Sequence, residues 1–286
     1  MIILATFVFG IYGAVFSIFL SNILMLYFYF KAKDKPHFTS DFTLMKPIYM
    51  LGLSLFVITL LSTIVDTIDR VFVVKIHGLY QVGIYNLAHS FSRMIMLLFG
   101  SATYVLYPFI LSEYAKDDNY QNLLNYYRKY GLIFFWTIPM FLAIMFIFFN
   151  SFIPWYLPAY KSALNFIYFL LLGIFWLIFS QLNDTFLLII NKQKIIIRNQ
   201  IITILLAFTL LIYIYINKVN INYVAFVFSI YIMIYGIFSF YSNLHYLRTS
   251  FKFASMLLMK YLVTFLTFTI LSGFLVINNR KHLIDF

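Results

Sequence analysis

The sequence contains no cysteine at any of its 286 positions. This absence excludes disulfide bonds, thiolate metal sites and cysteine nucleophiles, and it leaves the cellular compartment open. Histidines are also few, and those other than His89 lie in or near polar joints rather than in one cluster. The phosphate-binding, zinc-protease and serine-hydrolase motifs are absent as well. We therefore expect no metal and no cofactor.

Charged residues are scarce. They make up 10 % of the chain and hydrophobic residues 64 %, whereas soluble domains have about 25 % and 45–50 %. Because a soluble domain must cover its surface with polar groups, this composition predicts an integral membrane protein. The net charge of +11 does not indicate nucleic acid as a partner. Most of the cations lie at the ends of apolar segments, where they set topology and contact anionic membrane lipids.

Long polar stretches are missing too, so no joint could hold a folded extramembrane domain. A membrane-spanning helix needs about 20 mostly apolar residues. By this measure the chain is an all-α, polytopic membrane helix bundle of about eight transmembrane helices. The predicted segments are 3–30, 47–74, 82–112, 130–153, 163–190, 196–216, 221–242 and 256–277.

The distribution of Lys and Arg predicts the orientation in the membrane. The joint 31–46 and the alternate joints that follow it carry most of these cations. Because cytoplasmic loops are enriched in Lys and Arg, we expect 31–46 in the cytoplasm and both chain ends outside. An apolar segment that starts at residue 1 and enters from outside suggests that preceding helices are missing. The expected location is the cytoplasmic membrane, with multiple passes.

The second predicted helix carries charged residues within an apolar segment, where burying a charge in the membrane costs free energy. One of its faces bears polar side chains at three- and four-residue spacing, with Asp69 one position off that face. The next helix repeats the pattern. The members of the two stripes are Thr59, Ser62, Thr63, Asp66 and Arg70, followed by Asn86, His89, Ser90 and Arg93.

These two helices are joined by the short connection KIHGLYQ (75–81), with Gly78 as the expected turning point. At a rise of about 1.5 Å per residue, counting outward from this turn predicts an Asp66–Arg93 pair and an Asp69–His89 contact. Such charges either neutralise each other and lock the hairpin or line a water-filled cavity. Two matched stripes favour the cavity.

A second pair of charged residues flanks the NKQK turn farther along the chain. Asp184 on the fifth predicted helix and Arg198 on the sixth lie at comparable depth. One interpretation is a contact that fixes this hairpin near the membrane interface. The functional interpretation is that the Asp184–Arg198 contact is a gate on the cytoplasmic side, because transporters that rock between two states are closed by contacts that must break.

The run DTIDRVFVVKIHGLYQVGIYNLAHSF (66–91) resembles the seventh and eighth helices of polysaccharide flippases. These are the O-antigen and teichoic-acid exporters of the multidrug/oligosaccharidyl-lipid/polysaccharide superfamily. Two further stretches are similar to that family, YPFILSEYAKDD (107–118) and LNDTFLLIINKQKIIIRNQ (182–200). The matching elements are, in order, Asp69-Arg70, Gly78, Val82-Gly83-Ile84-Tyr85 and Ala88.

The resemblance implies a domain organisation in two six-helix lobes. On that register 1–45 is the last helix of an absent first lobe with its cytoplasmic joint. The second-lobe bundle is 46–250, and 251–286 contains one additional helix. The missing lobe leaves a fragment without activity as an alternative.

The resemblance also implies transport of a polyprenyl-pyrophosphate-linked oligosaccharide across the cytoplasmic membrane. Arginine suits a diphosphate because its fork matches phosphate oxygens. We therefore expect Arg70 and Arg93 at the phosphates, and hydrogen bonds to sugar from three further residues. Asp66 or Asp69, with His89, would bind a coupling ion. The expected partners are this lipid-linked substrate, membrane lipids and polymerase or glycosyltransferase machinery. The three sugar-binding candidates are Tyr85, Asn86 and Ser90.

Two other functions compete with this one. A multidrug exporter of the same superfamily would favour an acidic cavity for cationic drugs, whereas the arginines indicate an anion. A membrane glycan polymerase or glycosyltransferase would carry catalytic residues in a sizeable outer loop. Here the predicted outer joints are short and none holds paired carboxylates. We therefore expect a transporter and not an enzyme.

Overall fold

The computed structural model describes residues 2–31 and 42–267, apart from 118, 218, 261, 264 and 265. Every regular element in these ranges is a helix, which confirms the predicted all-α fold. A short 3₁₀ turn, Pro158–Tyr160, precedes α4. The helices are α1 (Ile2–Lys31), α2 (Phe42–Asp117), α3 (Tyr120–Tyr156), α4 (Ala163–Ile189), α5 (Gln193–Ile216), α6 (Ile221–Tyr246) and α7 (251–260).

The 76-residue α2 is two helices joined at one glycine. Gly78 has φ 79° and ψ 177°, which is not helical. Positive φ is readily adopted by glycine because it has no Cβ. Ion pairs between residues before and after Gly78 show that the first arm (42–77) and the second arm (79–117) fold back on each other. The predicted turning point is therefore confirmed.

Five helices in the described part of the chain are long and apolar enough to cross a membrane. They begin with the span Met45–Asp117 of α2, whose two arms correspond to the second and third predicted segments, and continue with α3 to α6. These helices confirm a membrane protein. Most of the eighth predicted segment, 256–277, lies outside the described residues, and the predicted domain boundaries stay predictions.

The chain divides into two compact units, Met1–Leu51 and Gly52–Phe286. In the larger unit α4 is the central helix, because 78 % of its most apolar 18-residue stretch is buried. It packs most extensively against α6. Glycines permit this approach: a Cβ at Gly173 would lie 2.8 Å from the Phe228 ring, and a Cβ at Gly236 would lie 2.9 Å from Trp176.

Candidate functional site

The two arms of α2 bring five charged or titratable side chains together. We call them the charged cluster: Asp66, Asp69, Arg70, His89 and Arg93. Asp66 forms an ion pair with Arg93 of the opposite arm, as predicted. Its Oδ2 also lies 3.9 Å from Nη2 of Arg70, one turn along the same arm. A single carboxylate thus holds both arginines.

Asp69, the other carboxylate of the cluster, is fully buried. Its Oδ2 accepts a hydrogen bond of 2.5 Å from the Tyr85 hydroxyl, and its Oδ1 accepts one of 2.9 Å from the Arg70 backbone N–H. The Nε2 of His89 lies 3.4 Å from Oδ2, which confirms the predicted Asp69–His89 contact. Asp69 therefore fixes the second arm to the first.

His89 lies between Arg70 and Asp69. Nη2 of Arg70 is 3.4 Å from Nδ1 of His89, and a guanidinium can only donate. Nδ1 must then be the acceptor, so the proton of a neutral imidazole lies on Nε2, the nitrogen that faces Asp69. Phe228 of α6 packs edge-on against the imidazole ring, with centroids 5.1 Å apart.

The cluster contains equal numbers of carboxylates and guanidiniums, but the guanidiniums are more exposed than the carboxylates. Apart from His89, the cluster consists of two carboxylates and two guanidiniums. The Asp66 side chain is 7 % exposed and that of Asp69 is 0 % exposed, whereas Arg70 is 25 % exposed and Arg93 is 44 % exposed. The negative charges therefore lie inside and the positive charges face outward. Such an arrangement presents prepositioned donors to an anion.

Two of the three predicted sugar-binding residues lie near Arg93. Ser90 is exposed, and its hydroxyl donates to the backbone carbonyl of Asn86 at 2.8 Å. The side-chain oxygen of Asn86 is buried and has no hydrogen-bond partner in the described part of the molecule. Since positions three or four apart share a helix face, Asn86, Ser90 and Arg93 form one polar strip of the second arm.

Tyr85 does not belong to this strip. Its side chain is fully buried, and its ring packs against Phe166 of α4 with centroids 5.6 Å apart. Its hydroxyl donates a hydrogen bond to Asp69. The prediction that Tyr85 contacts sugar therefore needs correction, because this residue lies on the side of the second arm that faces α4. Its observed role is to hold a buried carboxylate.

The predicted Asp184–Arg198 contact is wrong. The Asp184 carboxylate instead accepts hydrogen bonds from Tyr235 and Ser239 of α6. Nη2 of Arg198 lies 3.4 Å from the side-chain oxygen of Asn199, and no ion pair joins Arg198 to Asp184 in the described structure. The physical reason is that α4 packs mainly against α6 and only slightly against α5, the helix that follows it in the sequence.

The structure also adds residues that the sequence patterns did not single out as site residues. The Tyr231 hydroxyl of α6 donates to the Val65 carbonyl at 3.2 Å, beside Asp66. Gln200 of α5 donates to the Ser62 hydroxyl at 2.7 Å. These contacts tie α5 and α6 to the first arm. In the sequence, Tyr231 and Gln200 stand out only as polar residues within apolar spans. Their partners lie on helices distant in sequence, so the sequence does not indicate them.

The family comparison decides the class of this membrane protein. A family model described as "polysaccharide biosynthesis protein" matches residues 1–157. The chain belongs to this family. The matched region includes both arms of α2 and all of α3, so the whole charged cluster lies within it, whereas Asp184 lies beyond it. Searches of curated proteins and of solved structures gave no match. The resemblance to polysaccharide exporters is thus confirmed at the level of the family.

Proposed function

We propose that this polysaccharide biosynthesis protein moves a polyprenyl-diphosphate-linked oligosaccharide across the cytoplasmic membrane. Membership in the family supports a role in polysaccharide biosynthesis or export. A diphosphate and sugar head group cannot enter hydrocarbon unless polar groups replace its hydration. The charged cluster supplies such groups within apolar helices. Alternating exposure of the cluster to the two aqueous phases would then carry the head group across.

The observation that carries this proposal is the half-exposed guanidinium of Arg93 held by a buried carboxylate. A diphosphate approaching the cluster meets Arg93 and Arg70 before it meets Asp66, because the arginines are the more exposed members. Binding would weaken the Asp66–Arg93 pair in exchange for phosphate oxygens, and release would restore it. Asn86 and Ser90 would offer hydrogen bonds to the sugar, while the lipid tail stays in the bilayer.

The remaining features of the proposal concern topology and partners. We place the joint 31–46 in the cytoplasm, where the enzymes that build lipid-linked precursors have their substrates. Glycosyltransferases would then act before this protein and a polymerase after it. The protein itself would perform no chemistry on the glycan. The outward-facing arginines favour an anionic substrate over the cationic drugs of a multidrug exporter.

The proposal is tested by substituting Arg93 in cells that depend on this protein for surface polysaccharide. We expect Arg93→Ala to lower export at least tenfold and to leave lipid-linked precursor accumulated on the cytoplasmic leaflet. Arg93→Lys should retain part of the activity, because it keeps the charge but loses the fork. Lys116→Ala, which removes an exposed cation from the end of the same helix, should export normally.

Three results would contradict the proposal, provided that all variants reach the membrane in equal amounts. Undiminished export by Arg93→Ala would remove this residue from the mechanism. Loss of the precursor itself would indicate a glycosyltransferase. Accumulation of unpolymerised precursor on the outer leaflet would indicate a polymerase.

A further inference from the structure

We propose that a groove between α3 and α7 binds an anionic phospholipid of the cytoplasmic leaflet, with the phosphate at Lys252 and Arg128 and an acyl chain along the apolar part. None of these residues belongs to the charged cluster, and lipid binding can be measured without transport, so the inference does not depend on the proposed function. We call this surface the α3–α7 groove. Its lining includes Leu132, Phe135 and Trp136 of α3 and Lys252, Met256 and Lys260 of α7.

The first observation is the size of the groove and its mainly apolar lining. Its volume is about 950 Å³, near the upper end of the roughly 300–1,000 Å³ of pockets that bind drug-sized ligands. Leu132, Trp136 and Met259 line it and are exposed. Exposed apolar side chains of a membrane helix contact lipid tails, which are as apolar as leucine. An acyl chain therefore suits this part of the groove.

The second observation is that the charged residues among the described lining are all cations. They are Lys252, at the start of α7, and Lys260, about two turns farther along that helix. On α3, Arg128 lies one turn before the lining residue Leu132, and residues four apart share a helix face. The ion pairs of Lys and Arg in the described structure involve other residues, so neither Arg128 nor Lys252 is paired with a carboxylate there. An anion would balance their charges.

The third observation concerns the guanidinium of Arg128. Its Cζ lies 4.6 Å from the centroid of the Phe253 ring of α7, a distance at which a cation is attracted to an aromatic face. Its Nε is buried and has no hydrogen-bond acceptor in the described part of the molecule. A guanidinium can only donate, and a buried donor without an acceptor costs free energy. A phosphate oxygen is the kind of acceptor that this group prefers.

Contacts with α6 hold α7 in place beside the groove. The Tyr241 ring of α6 stacks on Phe251, with centroids 5.4 Å apart and an angle of 19° between the rings. The Tyr241 hydroxyl lies 3.3 Å from Oγ of Ser255. With the Arg128–Phe253 contact on the other side, α7 is attached to both α3 and α6. The groove is therefore bounded by helices that specific side-chain contacts fix in place.

The position of the cations favours a membrane phospholipid as the occupant. Arg128 and Lys252 precede the apolar segments 130–153 and 256–277, on the side that the distribution of Lys and Arg predicts to be cytoplasmic. The cytoplasmic leaflet contains anionic lipids, which attract Lys and Arg near the surface. Because the exposed side of the groove is in contact with bulk lipid at all times, we commit to a glycerophospholipid such as phosphatidylglycerol. A polyprenyl diphosphate has related chemistry and is an outcome of the test.

The test uses the purified full chain in phosphatidylcholine nanodiscs that contain a small fraction of brominated phosphatidylglycerol or brominated phosphatidylcholine. Bromine quenches tryptophan fluorescence on contact. Because Trp136 lines the groove, we expect stronger quenching by the brominated phosphatidylglycerol. Trp136→Phe should abolish this difference between the two lipids. Trp155→Phe, at an exposed position near the other end of α3, is the control and should retain the difference.

Variants of the cations measure how much their charges contribute. Arg128→Gln and Lys252→Gln should each weaken phosphatidylglycerol binding about fivefold, the effect of one Lys or Arg near a membrane surface. Lys129→Gln removes an exposed cation next to Arg128 that is not part of the lining, and it should bind the lipid normally. Lys252 is exposed, so Lys252→Gln keeps the test valid if Arg128→Gln does not fold. Unchanged binding by Lys252→Gln would overturn the proposal.

Each alternative occupant gives a different result, and each would overturn the proposal. If polyprenyl diphosphate relieves the quenching at Trp136 and an excess of unbrominated phosphatidylglycerol does not, the groove binds the substrate lipid. Equal quenching by the two brominated lipids would show that the groove does not select anions. Absence of quenching at Trp136 by either lipid would show that protein covers the groove, either a second copy or another part of this chain.

Discussion

The Asp66–Arg93 pair predicts an asymmetric response to charge removal. Arg93→Gln leaves Asp66 and Asp69 facing only Arg70, so a net negative charge remains on buried carboxylates. Asp66→Asn instead leaves a net positive charge on guanidiniums that are partly exposed and can be hydrated. The double variant is balanced again, with Asp69 and Arg70 left. We therefore expect Arg93→Gln to destabilise the protein more than Asp66→Asn does.

The magnitude follows from burial. Breaking a buried ion pair by removing one partner costs about 3–5 kcal/mol, whereas an exposed pair contributes about 0–1 kcal/mol. The Asp66 side chain is 7 % exposed but that of Arg93 is 44 % exposed, so solvent screens part of the interaction. We expect Arg93→Gln to lower the free energy of unfolding by about 1–3 kcal/mol. The double variant should recover about 1 kcal/mol or more of this loss, a coupling within the range for contacting residues.

The assay is a double-mutant cycle on the purified protein, with unfolding followed in mixed micelles. A matched control cycle uses Glu113 and Lys116, an exposed pair at 2.5 Å on the same helix. That pair should show little coupling, because solvent and salt screen exposed charges. The reasoning is refuted if the Asp66 and Arg93 effects simply add, or if Asp66→Asn is the more damaging single change.

Two further variants test the packing that positions the site. Gly173→Ala should lower the free energy of unfolding by about 1–3 kcal/mol through overpacking, because its Cβ would lie 2.8 Å from Phe228. Gly83→Ala, with no atom within 4 Å, should be neutral or slightly stabilising; equal effects of the two would contradict the close approach of α4 and α6. Tyr85→Phe should cost about 1.5–3 kcal/mol, the loss of a hydrogen bond to a charged group. Tyr80→Phe, at an exposed position of the same arm, is its control, and thermal stability equal to that control would show that the hydroxyl of Tyr85 does not support Asp69.

The hairpin of α2 could be predicted in detail from the sequence. Helices have a fixed rise per residue, and the turn at Gly78 is short, so counting outward from it sets which residues lie at equal depth. Asp66 and Arg93 are therefore paired as expected, and Asp69 meets His89. The polar stripes also identified the face on which Asn86 and Ser90 lie.

The contacts between helices distant in sequence could not be predicted in the same way. Tyr85 lies next to Asn86, yet it faces α4 and donates to Asp69. Consecutive residues of a helix point about 100° apart, so Tyr85 and Asn86 lie in different environments. Only the packing of the second arm against α4 decides which of the two is buried there. The pattern of the second arm gave no information about that neighbour.

The sequence by itself determined that this protein is a bundle of membrane helices with a charged hairpin, because hydropathy and helical spacing are local properties. Tertiary structure decided which carboxylates are compensated. Asp66 and Asp69 find their partners within the hairpin, whereas Asp184 meets hydroxyl groups of α6 and no cation in the described structure. The physical reason is the close approach of α4 and α6 at Gly173 and Gly236, a long-range fit that depends on side-chain volumes from both helices at once.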